Sequence, residues 1–174
     1  MADLRNARLL ARYRMWADQL TFDAVAALPP GEAAKERPTL FKTMIGTLNH
    51  IYLVDLIWQA HLEGRDHGFK SLELILHGSL PALRRAQCSV DQWYIDWSDR
   101  QSAQSLDEIV RFRFVSGAPG AMTRGEILHH VVNHATYHRG WIAEMFFQVP
   151  ARNPTTDLPV YLSRLRLDPS HAML

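Results

Sequence analysis

Thr123-Arg-Gly-Glu126-Ile-Leu-His-His130-Val-Val-Asn-His134-Ala-Thr-Tyr-His138-Arg-Gly140 carries a histidine at every fourth place from His130 onward. Thr123 and Glu126 have the spacing of a capping box, in which each side chain takes the other's backbone N–H, so a helix starts here. Ile127, Leu128, Val131, Ala135, Ile142 and Phe146 keep helical spacing, and Pro150 closes the segment. Residues four apart share a helix face with Cβ atoms roughly 5–6 Å apart, close enough for two imidazoles to grip one cation. His130 and His138 are separated by two turns, about 12 Å along the axis, so they cannot share an ion. Spacing therefore allows the pair His130/His134 or the pair His134/His138, with a further ligand drawn from elsewhere.

Outward from this helix the pattern stays helical. Leu4–Leu28 places Leu9, Leu10, Tyr13, Trp16, Ala17, Leu20 and Ala24 on one stripe, and Pro29-Pro30-Gly31 ends it. Leu40–Glu63, with Thr39 as its candidate cap, is apolar around much of its circumference and stops at Gly64. Ser71–Arg100 reads as a third helix capped by Ser71 and broken or kinked near Gly78 and Pro81. Ile109–Val115 alternates apolar and charged residues as a half-exposed strand does; Gly117-Ala-Pro-Gly120 is turn chemistry, and Ala121–Thr123 returns as a second strand. Leu158–Leu167 is a short helix or packing segment, and the residues after it, His171 among them, read as a loose tail. The fold class this implies is all-α: a single-domain four-helix bundle over 1–174, with one long crossover containing a small β-hairpin or extended segment.

Composition narrows the function. The chain has 174 residues, 47% hydrophobic and 21% charged, with a formal net charge of +1, which offers no electrostatic case for nucleic acid or an anionic membrane. Cys88 is the one cysteine, so neither a disulfide framework nor a thiolate metal cluster is open to it. No run approaches the roughly 20 apolar residues of a membrane span. The first residues, with Asp3, Arg5 and Arg8, lack a secretory apolar core, so the expected location is the cytoplasm.

A lone histidine on an apolar helix is most often a hydrogen-bonded core residue. Two at four-residue spacing, with a third in the middle of another buried helix, favour a bundle-core metal site. His50 fits that third place, because it sits among Met44, Ile45, Leu48, Ile51, Leu53 and Val54, where an unpartnered imidazole is costly. His61, His67, His77 and His129 read as surface residues.

The run Leu128-His-His130-Val-Val-Asn133-His134-Ala-Thr-Tyr137-His138-Arg139-Gly140 closely resembles the signature of the DinB family of metal-binding four-helix bundles. His50-Ile-Tyr-Leu-Val-Asp-Leu-Ile-Trp58 is similar to that family's second helix, and Tyr13-Arg-Met-Trp16-Ala-Asp to its aromatic opening. The resemblance covers essentially the whole chain. It implies a three-histidine metal site of His50, His134 and His138, with His130 as a packing neighbour. Trp141 stands where members often carry Gln, a departure that separates this chain's substrate pocket from that of other members.

Three neutral nitrogen ligands leave a coordination position open, as in catalytic rather than structural zinc sites. An all-imidazole donor set suits zinc, nickel, copper or iron and does not decide among them; the expected ion is zinc or nickel, with iron and copper as alternatives. The expected function is a metal-dependent enzyme acting on a small molecule, with a low-molecular-weight thiol as cosubstrate, as the resemblance implies. Two alternatives are a metal-dependent hydrolase and a non-catalytic, stress-related bundle pinned by its metal. For hydrolysis, Asp55, Glu126, Glu144, Tyr52 and Tyr137 are the available acids and phenols, and none is singled out as a base. A homodimer is expected from the family and from aromatics, such as Trp93, Trp97 and Trp141, beyond what one core needs.

Overall fold

The computed structural model describes residues 3–167. The expectation for the tail around His171 falls outside them. Four long helices form the bundle: α1 Leu4–Ala26, α2 Met44–Leu62, α3 Leu80–Asp99, and, beyond the short α4 Ala103–Leu106, α5 Arg124–Phe146. A final helix, α6 Leu158–Leu167, packs across α1. Both α1 and α2 lie against α3 and α5, so α1 faces α2 across one diagonal and α3 faces α5 across the other.

The helix starts follow from local chemistry. Asp3 accepts the Arg5 N–H at the head of α1. Thr43, not Thr39, caps α2 by accepting the Gly46 N–H, because residues 40–42 turn sharply and Lys42 takes a left-handed φ of 61°. Gly46 is required there, since a Cβ would collide with the Phe41 carbonyl folded back over the helix start. The capping box at Thr123 and Glu126 forms as expected.

The third helix begins later than its sequence suggests. Residues 71–79 are not helical, and Ser71 accepts the Glu73 N–H in a local turn instead of capping a helix. Their backbone is bound to α2 side chains: Asn49 donates to the His77 carbonyl (3.0 Å) and accepts the His77 N–H (2.9 Å). α3 then opens with Pro81 in its first turn, where the missing N–H costs nothing. The α2–α3 connection is consequently a second long one.

The crossover to α5 contains the hairpin, β1 Ile109–Arg113 antiparallel to β2 Pro119–Thr123, with Phe112 opposite Gly120. Its second strand starts two residues earlier than expected, because Gly117 at φ 85° makes the turn, leaving Pro119 and Gly120 free to pair. The inner face buries Phe112 against Trp58 (4.8 Å) and His61 (5.1 Å). His61, expected at the surface, is therefore buried. Tyr161 of α6 meets the rings of Tyr13 and Trp16, and the Tyr13 hydroxyl donates to the Thr156 carbonyl (2.9 Å).

The core divides into two apolar clusters. One centres on Tyr13, Trp58, Tyr94, Trp97 and Val131, the other on Phe22, Leu48, Leu83, Ile142 and Phe146. Where they meet, every long helix contributes polar groups. Arg14 Nη2 pairs with Asp55, with Asp91 (3.0 Å) and, more distantly, with Asp18 (3.6 Å). Arg139 pairs with Asp18 (2.7 Å), while Gln87 donates to both Asp55 and Asp91. The five charged groups are 0–4% exposed, three carboxylates against two guanidiniums. Among the described residues, no helix is long and apolar enough to cross a membrane.

Candidate metal centre

His50 lies midway along α2, while His134 and His138 lie one turn apart on α5, so all three face the seam between those helices. One ring nitrogen from each falls within 4.8 Å of the other two. His50 Nε2 and His134 Nε2 are 3.1 Å apart. Two nitrogens each about 2.0–2.1 Å from one tetrahedral ion lie on the order of 3.3 Å apart, so the spacing matches a shared cation.

The tautomer of His50 is decided by its other nitrogen. Nδ1 lies 2.8 Å from the Leu72 carbonyl, which can only accept, so Nδ1 carries the proton and Nε2 presents a lone pair to the cluster. The irregular path of residues 71–79 thus serves the site, because a helix would have used that carbonyl internally. Burial makes all three imidazoles neutral. It pushes His134 down to about 2, with His138 and His50 adding repulsion, and His138 down to about 4; His50 is lowered as well. Neutral imidazole is the metal-binding form. His134 Nδ1 and His138 Nδ1 are buried without hydrogen-bond partners. An all-imidazole set with neutral lone pairs converging inside the protein fits a metal ion, and the cluster can hold one.

Of the two pairs that spacing allows, His134/His138 is the one that clusters with His50. His130 is half-buried, its ring 5.7 Å from that of His134 and edge-on to Trp58 at 4.8 Å, which makes it a wall of the site and not a member of the cluster. Trp141 packs on His138 (4.6 Å) and on Phe41, whose ring stacks over His50 at 4.1 Å. These rings cover part of the cluster, beside a cavity of about 260 Å³ lined by Phe41, Gly46, Leu72 and Glu73 that also reaches His50. Toward the hairpin, His50 and His134 open into a pocket of about 380 Å³ between α2 and the hairpin tip, walled by Val54, Ile57, Trp58, Leu72, Phe114 and Val115.

None of the candidate bases reaches that pocket. Asp55 is buried against Arg14 and Gln87, and Glu126 is spent in the capping box. Glu144 is exposed, Tyr52 lies against His77, and Tyr137 is a largely exposed ring beside His138. Phe41, the Leu72 carbonyl and the hairpin tip went unrecognised in the sequence. The hairpin tip had a signal, the alternation of 109–115 running on to an apolar pair, Phe114-Val115, at the turn. Phe41 and Leu72 had none, since their roles depend on loop conformation.

Trp97 is buried in the core and Trp93 stacks on it, so these rings find partners within the chain.

Comparison with known proteins agrees with this architecture. The family model described as the DinB family matches residues 1–166. Protein DinB of Bacillus subtilis (strain 168) is 30% identical over 160 residues, covering 88% of this chain and 91% of that protein. YizA of the same organism is 25% identical over 138 residues, 79% of each. With the family match spanning all four helices of the bundle and the histidine cluster, the chain belongs to the DinB family.

Proposed function

We propose that His50, His134 and His138 hold a divalent transition metal ion, zinc or nickel before iron or copper, and that the chain is a metal-dependent enzyme joining a low-molecular-weight thiol to a small electrophile. The observation that carries this reading is the opening of a buried, neutral imidazole cluster into a pocket of molecular size. A structural pin would need no such access.

The bound ion would supply Lewis acidity, lowering the pKa of a thiol or polarising an electrophile. The chain's own residues do the rest. The Leu72 carbonyl fixes the direction of the His50 ring. Phe41 and Trp141 pack on the His50 and His138 rings and hold them in place. The pocket walls hold the acceptor against the open side. In the reaction the thiol gives up its proton to solvent, sulfur bonds to the electrophilic carbon, and that carbon's leaving group departs with its electron pair. The absence of any carboxylate from the pocket lining favours this over hydrolysis, which needs a base for water.

The test is thiol consumption by zinc- and nickel-loaded protein with a panel of low-molecular-weight thiols and one-ring electrophiles. The expected result is metal-dependent turnover, absent in His134→Ala. No turnover across the panel with either metal refutes the reading. We propose also that the chain is a homodimer, and a monomer by light scattering at micromolar concentration refutes that.

A further inference from the structure

We infer that the acceptor molecule is uncharged and predominantly apolar, of one or two rings, and that the hairpin tip Phe114–Ser116 is the wall that selects it. This rests on the enzymatic reading above and names the substrate class of the same site.

No Asp, Glu, Lys or Arg lines the pocket; apart from imidazoles its polar side chains are the Trp58 indole and the Ser116 hydroxyl. Of the charges on the neighbouring loops, Arg113 donates to the Gly117 carbonyl, Arg65 pairs with Glu63, and Glu73 lines a separate cavity that also reaches His50. Away from the imidazole cluster, a carboxylate or ammonium in this space would lose water and find only neutral polar groups, with no side chain of opposite charge to offset the loss. An apolar molecule meets the opposite balance, because every wall contact removes apolar surface from water.

Size follows from volume. The pocket holds about 380 Å³, against the order of 150 Å³ for a cavity that takes one benzene. That is room for a substituted ring or a fused pair.

Selection falls to the hairpin because its tip is the exposed wall. Val54, Ile57 and Trp58 are buried α2 residues with packing duties of their own. Phe114 is 47% exposed, directly after the last β1 residue, and its backbone closes the turn through the Ala118 and Gly117 bonds. Its ring meets Phe112 edge-on at 5.0 Å, and Phe112 meets Trp58 at 4.8 Å, so a chain of rings runs from the pocket floor to its mouth. An apolar guest would bury the open face of Phe114.

A matched pair of probes tests this on metal-free protein, by calorimetry or Trp fluorescence: acetophenone, neutral, and benzoate, of similar size but anionic. Acetophenone should bind saturably and benzoate about tenfold more weakly or worse. Phe114→Ala should weaken acetophenone by about tenfold. Val115→Arg, a change at a half-exposed tip position, should reverse the preference toward benzoate. Benzoate binding as tightly as acetophenone, absence of saturable acetophenone binding, or indifference to Phe114→Ala would each overturn the inference. Because the readout is binding without metal, such a failure alongside intact thiol turnover sinks the substrate class alone. Normal probe binding with no turnover sinks the enzymatic reading instead.

Discussion

Replacing Asp91 with Asn tests the most unusual part of the interior. The buried layer holds Asp18, Asp55 and Asp91 against Arg14 and Arg139, so with all groups ionised it carries one uncompensated negative charge. Burial pushes Asp91 up to about 8 and Asp55 up to about 7, opposed by Arg14 and reinforced by the neighbouring carboxylates. The layer is thus held together by one retained proton at neutral pH. A carboxyl raised in the folded state binds that proton where the unfolded chain does not, so its contribution is complete below the ordinary value of 3.8 and is lost as pH rises through the folded value. The histidine cluster works in the other direction. His134, His138 and His50 are lowered from 6.5, so in metal-free protein they make stability climb as pH rises toward that value and contribute no slope above it. Above about pH 7 the histidines are silent and Asp91 is the main group losing a proton, with smaller shares from Asp55 and from the Cys88 thiol, which burial also raises. One proton released between about pH 7 and about pH 9 costs about 1.4 kcal/mol, or roughly 3–5 °C in Tm for a chain of this size. In Asp91→Asn the group raised furthest is gone, and the decline should flatten to the smaller contribution left by Asp55 and Cys88. The assay is urea unfolding at stepped pH with chelator present. Arg14→Met is the counter-control, expected to cost about 3–5 kcal/mol by leaving carboxylates buried unpaired. An identical alkaline decline in wild type and Asp91→Asn would refute the reasoning.

Three further outcomes are expected. Adding zinc at about a hundred times its dissociation constant should raise the unfolding free energy by about 2.7 kcal/mol, with His134→Ala abolishing the gain and His130→Ala retaining it, read by thermal unfolding with and without chelator. Gly46→Ala should push back the Phe41 carbonyl and unseat the ring stacked on His50, costing about 1–3 kcal/mol and weakening metal affinity in a competition titration. Thr123→Ala removes the acceptor for the Glu126 N–H and should cost about 1 kcal/mol by urea unfolding without changing metal stoichiometry.

Periodicity sufficed for most of the architecture because α1 and α5 each bury a helical stripe, α2 is apolar and buried around most of its circumference, and the hairpin alternates as a half-buried pair must. It misled at residues 71–79, where Ser71-Leu-Glu-Leu-Ile-Leu has good helix composition. There the competing partners come from α2: the side chains of Asn49 and His50 take up backbone groups of His77 and Leu72, and tertiary bonds outweigh local propensity. The charged layer was equally hidden. Arg14, Asp18, Asp55, Asp91 and Arg139 are scattered along the chain, and each alone looks like the solvated side of a helix. The partner that Arg139 finds, Asp18 on α1, lies far away in the sequence, so the pairing has no local signature. The metal cluster was more legible because two of its members lie one turn apart and the third is isolated in an apolar run. Choosing between the two possible pairs still needed the family likeness.

The division of labour between helices and loops has an evolutionary corollary. The ion-pair layer ties α1, α2, α3 and α5 together, whereas the mouth of the pocket is drawn from Leu72 and Phe114, which are 42% and 47% exposed and take no part in that layer. Substitutions at exposed positions usually change stability by only about 0.5 kcal/mol. A lineage built on this bundle can therefore rewrite its choice of guest by editing two loops, leaving the scaffold and its imidazoles untouched.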